Sequence, residues 1–237
     1  MKRSVTAAGR RLDYILVRAP RRDVLLKALP GGETRVYAPS CAWLKDVDEL
    51  VRARAAEILN MHAALERQLL ENRLRHSVAP GSRVCVEGAA YALRLKPGAQ
   101  VRLKLQAEVC ELSLPAPEDE EAVRAALKQA LSRRALMRIR EELDAYAPRI
   151  GVEYGRVAIR DQKSRWGSCS AKGNLNFNWK LIMAPPEALR YVVIHELCHR
   201  IEFNHSPRFW ALVRGQMPEY ECWKKWLKAH GGELGVE

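Results

Sequence analysis

Apolar positions change their period several times along the chain. From Asp13 to Pro39, short apolar runs (Tyr14 to Val17, Val24 to Leu29, Thr34 to Tyr37) alternate with turn segments at Ala19-Pro-Arg-Arg-Asp23 and Pro30-Gly-Gly-Glu33, which predicts a small antiparallel sheet. Between Trp43 and Leu74 the spacing becomes helical. Val47, Leu50, Val51, Ala55, Ile58, Leu59, Ala63, Leu65, Leu69 and Leu70 recur among many Arg and Glu, so one long amphipathic helix is expected. His62 lies within it and has no second ligand spaced to join it, so it reads as a surface or boundary histidine.

Strand patterning returns from Ser82 to Leu114, at Val84 to Val86, Tyr91 to Leu95, Val101 to Leu105 and Val109 to Leu114. Arg94, Lys96, Arg102 and Lys104 alternate with leucines and should share one solvent side. That side reads first as a solvated face. It would also suit nucleic acid, although no aromatic residues interleave with the charges. Pro115-Ala-Pro117 breaks the pattern and sets the expected boundary between a β-rich region, 1–115, and a second domain, 116–237.

The second region opens with a helix over 118–147, acidic at its start and stopped by Pro148, with Arg133, Arg134, Arg138 and Arg140 on its wet side. Val157 to Ile159 is a short strand. In Asn174 to Trp179 the asparagines alternate strictly with Leu175, Phe177 and Trp179, so one face packs and the other is polar. As an edge strand this segment could hold an extended peptide; as an inner strand its asparagines would be solvated. A helix then starts at Ala184-Pro-Pro186, with Pro185 or Pro186 in its first turn, others follow at 208–215 and beyond Pro218, and the last residues, 231–237, read as frayed. No internal repeat is visible.

Composition narrows the class. The chain has 237 residues and a formal net charge of +12, enough length for a substantial core and enough charge to favour anionic partners. Six cysteines without a CxxC pair argue for reduced thiols and a cytoplasmic protein, and no apolar run near the N-terminus is long enough for a signal core or a membrane span.

The chemistry concentrates in Tyr191-Val-Val-Ile-His-Glu-Leu-Cys-His-Arg-Ile-Glu-Phe-Asn-His205. On a helix, His195 and His199 share one face a turn apart and can direct ring nitrogens at one ion. Glu196 lands beside that ion, where a base must sit to take a proton from water. His205 follows a turn at Asn204 that could return it to the ion. Glu202 is the rival third ligand, but it would lie about 10 Å along the helix axis from His195, and His205 is preferred. Tyr191, Tyr220 and Arg165 are the candidate oxyanion donors, and Cys169 and Cys198 the candidate fourth ligands of a closed site.

Together with Arg160-Asp-Gln-Lys-Ser-Arg-Trp-Gly-Ser-Cys169, Gly173-Asn-Leu-Asn-Phe-Asn-Trp179 and Asn204-His-Ser-Pro-Arg-Phe-Trp210, this stretch resembles the YgjP-like metal-dependent hydrolases, a family placed among the zincin metallopeptidases and related to the SprT-like group. The resemblance implies one zinc ion on His195, His199 and His205, with Glu196 as catalytic acid/base. It implies an α+β fold: a β-rich N-terminal half, then a small zincin-like domain with an HExxH helix below a sheet. Glu202 stands where metzincins carry a turn glycine, so the turn must be made another way.

The expected activity is therefore zinc-dependent hydrolysis of a peptide or protein. Ten Lys or Arg against four Asp or Glu between Arg156 and Arg214 keep two alternatives open. One is hydrolysis of a nucleotide phosphoanhydride. The other is a zinc-stabilised module that binds nucleic acid without catalysis.

Overall fold

The computed structural model describes residues 1–7 and 9–236. The protein is α+β, and its backbone divides into two compact units, Met1–Leu74 and Arg75–Glu237.

In the first unit, strands β1 (Lys2–Ala7), β2 (Arg10–Ala19), β3 (Leu25–Ala28) and β4 (Thr34–Pro39) form one sheet in the order β1-β2-β4-β3. The sheet is mixed rather than antiparallel, because β2 and β4 run parallel side by side. Burial explains the order. Thr34, Val36 and Ala38 of β4 are all buried and need a central position, whereas β3 buries only Leu26 and takes the edge. β1 escaped sequence reading because Val5 is its one buried residue. Helices α1 (Leu44–Ala53) and α2 (Ala55–Arg75) replace the single helix expected there, with the break at Arg54, whose φ is −101° and ψ 20°. Val47, Val51 and Ile58 pack these helices against the sheet's Val5, Tyr14, Leu16 and Val36.

The second unit opens with β5 (Arg83–Val86), β6 (Ala89–Pro97), β7 (Arg102–Gln106) and β8 (Val109–Leu114), in the order β5-β6-β8-β7. Its pairing, antiparallel, parallel, antiparallel, is that of the first sheet, so the fold repeats a motif that the sequence does not display. These strands share a core with the helices after them: Val84, Leu93, Leu112 and Leu114 join Val123, Leu127 and Leu131 of α3 (Glu120–Ile150). Pro115-Ala-Pro117 therefore separates element types, while the compact units part at 74/75. α3 is capped by Asp119, which accepts from the Glu121 amide at 2.9 Å. It runs through the exposed Pro148, which removes only the bond to the exposed Asp144 carbonyl, and ends at Gly151 in the left-handed conformation, φ 76°.

A three-stranded sheet follows: β9 (Val157–Arg160), β10 (Gly167–Cys169) and β11 (Leu175–Asn178), in the order β10-β11-β9. β11 is thus the inner strand and β10 an edge. The asparagines of β11 are bonded inward rather than solvated. Asn178, only 3% exposed, donates to the carbonyls of Gln162 and Arg165, and Asn176 donates to Ser168 Oγ at 3.2 Å. A buried 3-10 turn, Trp179–Met183, leads to α4 (Pro186–Cys198), α5 (Pro207–Gln216) and α6 (Tyr220–His230). The tail is not frayed. Leu234 and Val236 are buried, and Arg124 Nη1 donates to the Val236 carbonyl at 2.5 Å. No helix among the described residues is long and apolar enough to cross a membrane.

Candidate metal centre

α4 is apolar nearly all round, and Ala188, Leu189, Val192, Val193, Ile194, Leu197 and Cys198 are buried, which makes it the central rod of the second unit. Two contacts fix its direction. Arg190 donates to both carboxylate oxygens of Glu142 on α3, at 3.0 and 3.2 Å. At the helix's start, the Glu87-Gly88 turn between β5 and β6 docks so closely that a Cβ on Gly88 would stand 3.0 Å from Pro185 Cα.

His195 and Glu196 occupy the last turn of α4, and His199 is its C-cap with φ −65° and ψ −11°. Beyond it the chain turns without glycine. Arg200 holds the turn by donating to the carbonyls of Glu153 at 3.0 Å and Ala171 at 3.3 Å. Ser206 then caps α5 by accepting from the Phe209 amide. This sequence of stops brings His205 back to the helix. His205 Nε2 lies 3.0 Å from His195 Nε2, and His199 Nε2 lies 3.2 Å from the same atom. Among the described residues these three histidines are the group whose ligand atoms converge, all within 4.8 Å of one another. Neither Glu202, nor Cys169, nor Cys198 belongs to it.

The donor set fits a metal ion. Nitrogens bound to one tetrahedral zinc at about 2.0–2.1 Å would stand about 3.3 Å apart, close to the spacings found. Protonation states agree with this. Burial, followed by the neighbouring His199 and His205, pushes the His195 imidazole down to about 3, and burial lowers His199 as well, so both are neutral near pH 7. His199 Nδ1 donates to the Glu202 carbonyl at 3.0 Å, which leaves Nε2 as the lone-pair nitrogen aimed at the cluster. Glu202 therefore meets the cluster through its backbone, orienting His199.

Glu196 is 4% exposed, and its Oε2 is buried without a hydrogen-bond partner. Burial raises its carboxyl to about 8, against a smaller lowering by Arg165. β10 presses on it from the other side. A Cβ on Gly167 would sit 2.6 Å from Glu196 Oε1, so only glycine admits the carboxylate here. The resulting cleft, about 320 Å³, is lined by Arg165, Gly167, Ser168, Cys169, His195, Glu196, His199, Phe203 and His205. Of the three candidate oxyanion donors, Arg165 lines it. Tyr191 and Tyr220 are buried behind His195, stacked on each other at 6.3 Å. Phe203, 52% exposed, is a cleft residue that sequence reading missed; an aromatic next to a ligand turn gives no signal that distinguishes it from core.

The chain matches the model of a YgjP-like metallopeptidase domain over residues 22–230. Among solved structures, the metallopeptidase zymogen abylysin of Pyrococcus abyssi is 23% identical, over 38% of this chain and 93% of that one, with a TM-score of 0.36. No curated protein matches the chain.

Proposed function

Because the chain belongs to the YgjP-like metallopeptidase family, we propose that it is a zinc-dependent peptidase in which His195, His199 and His205 hold one ion and Glu196 is the general base. The observation that carries this reading is the convergence of three imidazole nitrogens beside a buried, unpartnered carboxylate. A zinc ion held by these three histidines would supply a water of near-neutral pKa and a Lewis acid for the peptide carbonyl.

Glu196 would take the proton of the attacking water. It would keep that proton until the amine leaves and then deliver it. Arg165, at the cleft wall, is the residue we assign to the negative charge that develops on the carbonyl oxygen. β10 supports a peptide substrate: it is an edge strand whose three residues line the cleft, so an extended chain could add to its free side. The six thiols, none of them in a disulfide, support the cytoplasm as the compartment.

Metal content by mass spectrometry on wild type and Glu196→Gln, paired with turnover of an unstructured protein and of nucleoside triphosphates, tests the reading. Both proteins should carry one zinc, with peptide cleavage lowered about 10²–10⁴-fold by the substitution. Triphosphate turnover without protein cleavage would move the activity to the phosphoanhydride class. Folded wild type that takes up no zinc would remove the metal centre altogether.

A further inference from the structure

The sheet β5-β6-β8-β7 has two unlike faces. One packs on α3 through Val84, Val86, Leu93, Cys110, Leu112 and Leu114. The other carries Arg94, Lys96, Arg102 and Lys104, all exposed.

Strand register turns these four into an array. Arg94 of β6 and Lys104 of β7 both stand opposite Glu111 of the intervening β8, and Lys96 and Arg102 both stand opposite Ser113. The cations are thus the corners of a rectangle, about 7 Å along the strands and about 10 Å across them. Glu111 is the one carboxylate inside it, 3.9 Å from Lys96. Arg94, Arg102 and Lys104 form no ion pair with another described residue. Some cations elsewhere in this unit do have carboxylate partners: Arg134 and Arg138 share Glu87, Arg124 meets Glu120 and Arg190 meets Glu142. Like charges so arranged repel one another, and the fold offers little to offset that. An external polyanion would.

The chemistry of the face selects among polyanions. No aromatic ring stands among the four cations, so there is no platform for unpaired bases, and no large apolar side chain is offered to a lipid surface. A rigid rectangle of charge suits a rigid line of phosphates. We propose that this face docks on the phosphate backbone of duplex nucleic acid without reading its sequence. This goes beyond the peptidase reading and does not depend on it.

The test is binding of the full chain to a labelled DNA duplex of about 20 base pairs as salt rises from about 50 to about 200 mM. Four phosphate contacts give a slope of log affinity against log salt of about −3.6, hence a loss of about 100-fold across that range. Replacing Arg94, Lys96, Arg102 and Lys104 together by Ser should weaken binding at least about tenfold at the lower salt and bring the slope to about −1 or shallower, with an unchanged melting curve. Replacing the exposed Arg10, Arg22, Lys27 and Lys45 by Ser removes the same net charge and should leave binding intact. Equal loss in both variants would overturn the proposal, since net charge alone would then account for binding. So would a wild-type slope shallower than about −1, or tighter binding to a single strand or to vesicles of anionic lipid.

Discussion

The indole of Trp210 lies over the imidazole of His205, ring centroids 5.6 Å apart and planes at 21°. Trp210 is held in turn by Tyr220, stacked at 5.3 Å, and by Lys224, whose Nζ is 3.9 Å from the indole centroid. His205 is the exposed member of the three histidines and comes from a loop, so its aim depends on that stack. Trp210→Leu should weaken zinc binding about 10–100-fold, the range for groups that orient ligands, as read by competition with a chromophoric chelator. Saturating metal should restore turnover to within a few-fold. Unchanged zinc affinity would show that the stack does not aim the ligand.

Gly167→Ala places a methyl group 2.6 Å from Glu196 Oε1 and 2.8 Å from its Cγ. The glutamate has no solvent to retreat into. Displacing a base by about 1 Å costs about 10²-fold in turnover. The expected result is a folded protein with its zinc retained and kcat lowered by that order, measured beside Glu196→Gln. Full activity in the alanine variant would mean that the carboxylate has another working position.

How far all this was legible from the sequence differs between elements. The approach of His199 to His195 was legible because helical spacing fixes where His199 must point once His195 is placed. All four strands from β5 to β8 followed from alternation. Partner choice did not. The run Asn174 to Trp179 alternates as an edge or an inner strand would, and only pairing with Gly167–Cys169 on one side and Val157–Arg160 on the other puts it inside. Gly167 reads as one more loop glycine until a carboxylate is seen against it. The parallel pairing of β2 with β4 and the burial of the tail likewise depend on contacts distant in sequence.

Glu142 is 7% exposed, and its bidentate partner Arg190 sits on α4 shortly before His195. Arg190→Met leaves a buried carboxylate without its cation and should cost about 1–3 kcal/mol, read from denaturant unfolding. Adding Glu142→Leu should recover most of that loss. A double variant no better than the single one would mean that the arginine stabilises α4 by some other contact.

In the first unit, Asp48 accepts from Arg3, at 3.1 and 2.5 Å, and from Tyr14 Oη, at 2.5 Å, tying α1 to β1 and β2. The Arg3 guanidinium holds its carboxyl below the ordinary 3.8, so the ionised form is favoured by folding. A depressed carboxyl stabilises above its unfolded pKa, and that stabilisation is lost as pH falls through the folded value. Melting of wild type and Asp48→Asn from about pH 2 to about pH 7 should show the variant several degrees lower at neutral pH, with the gap closing in acid. A gap independent of pH would assign the loss to shape rather than charge.

The buried tail has a consequence for how the protein is made. The first unit is complete within its own first 74 residues and can close while the rest is still being synthesised. The second cannot. Leu234, Val236 and the clamp from Arg124 to the Val236 carbonyl complete a core that begins at Val78. Until Leu234 and Val236 have been synthesised, α3 and the histidine helix wait with part of their apolar surface uncovered. The unit that holds the histidine cluster is thus the one exposed longer to misfolding, and replacing Leu234 and Val236 by Ser should harm yield before it harms any activity.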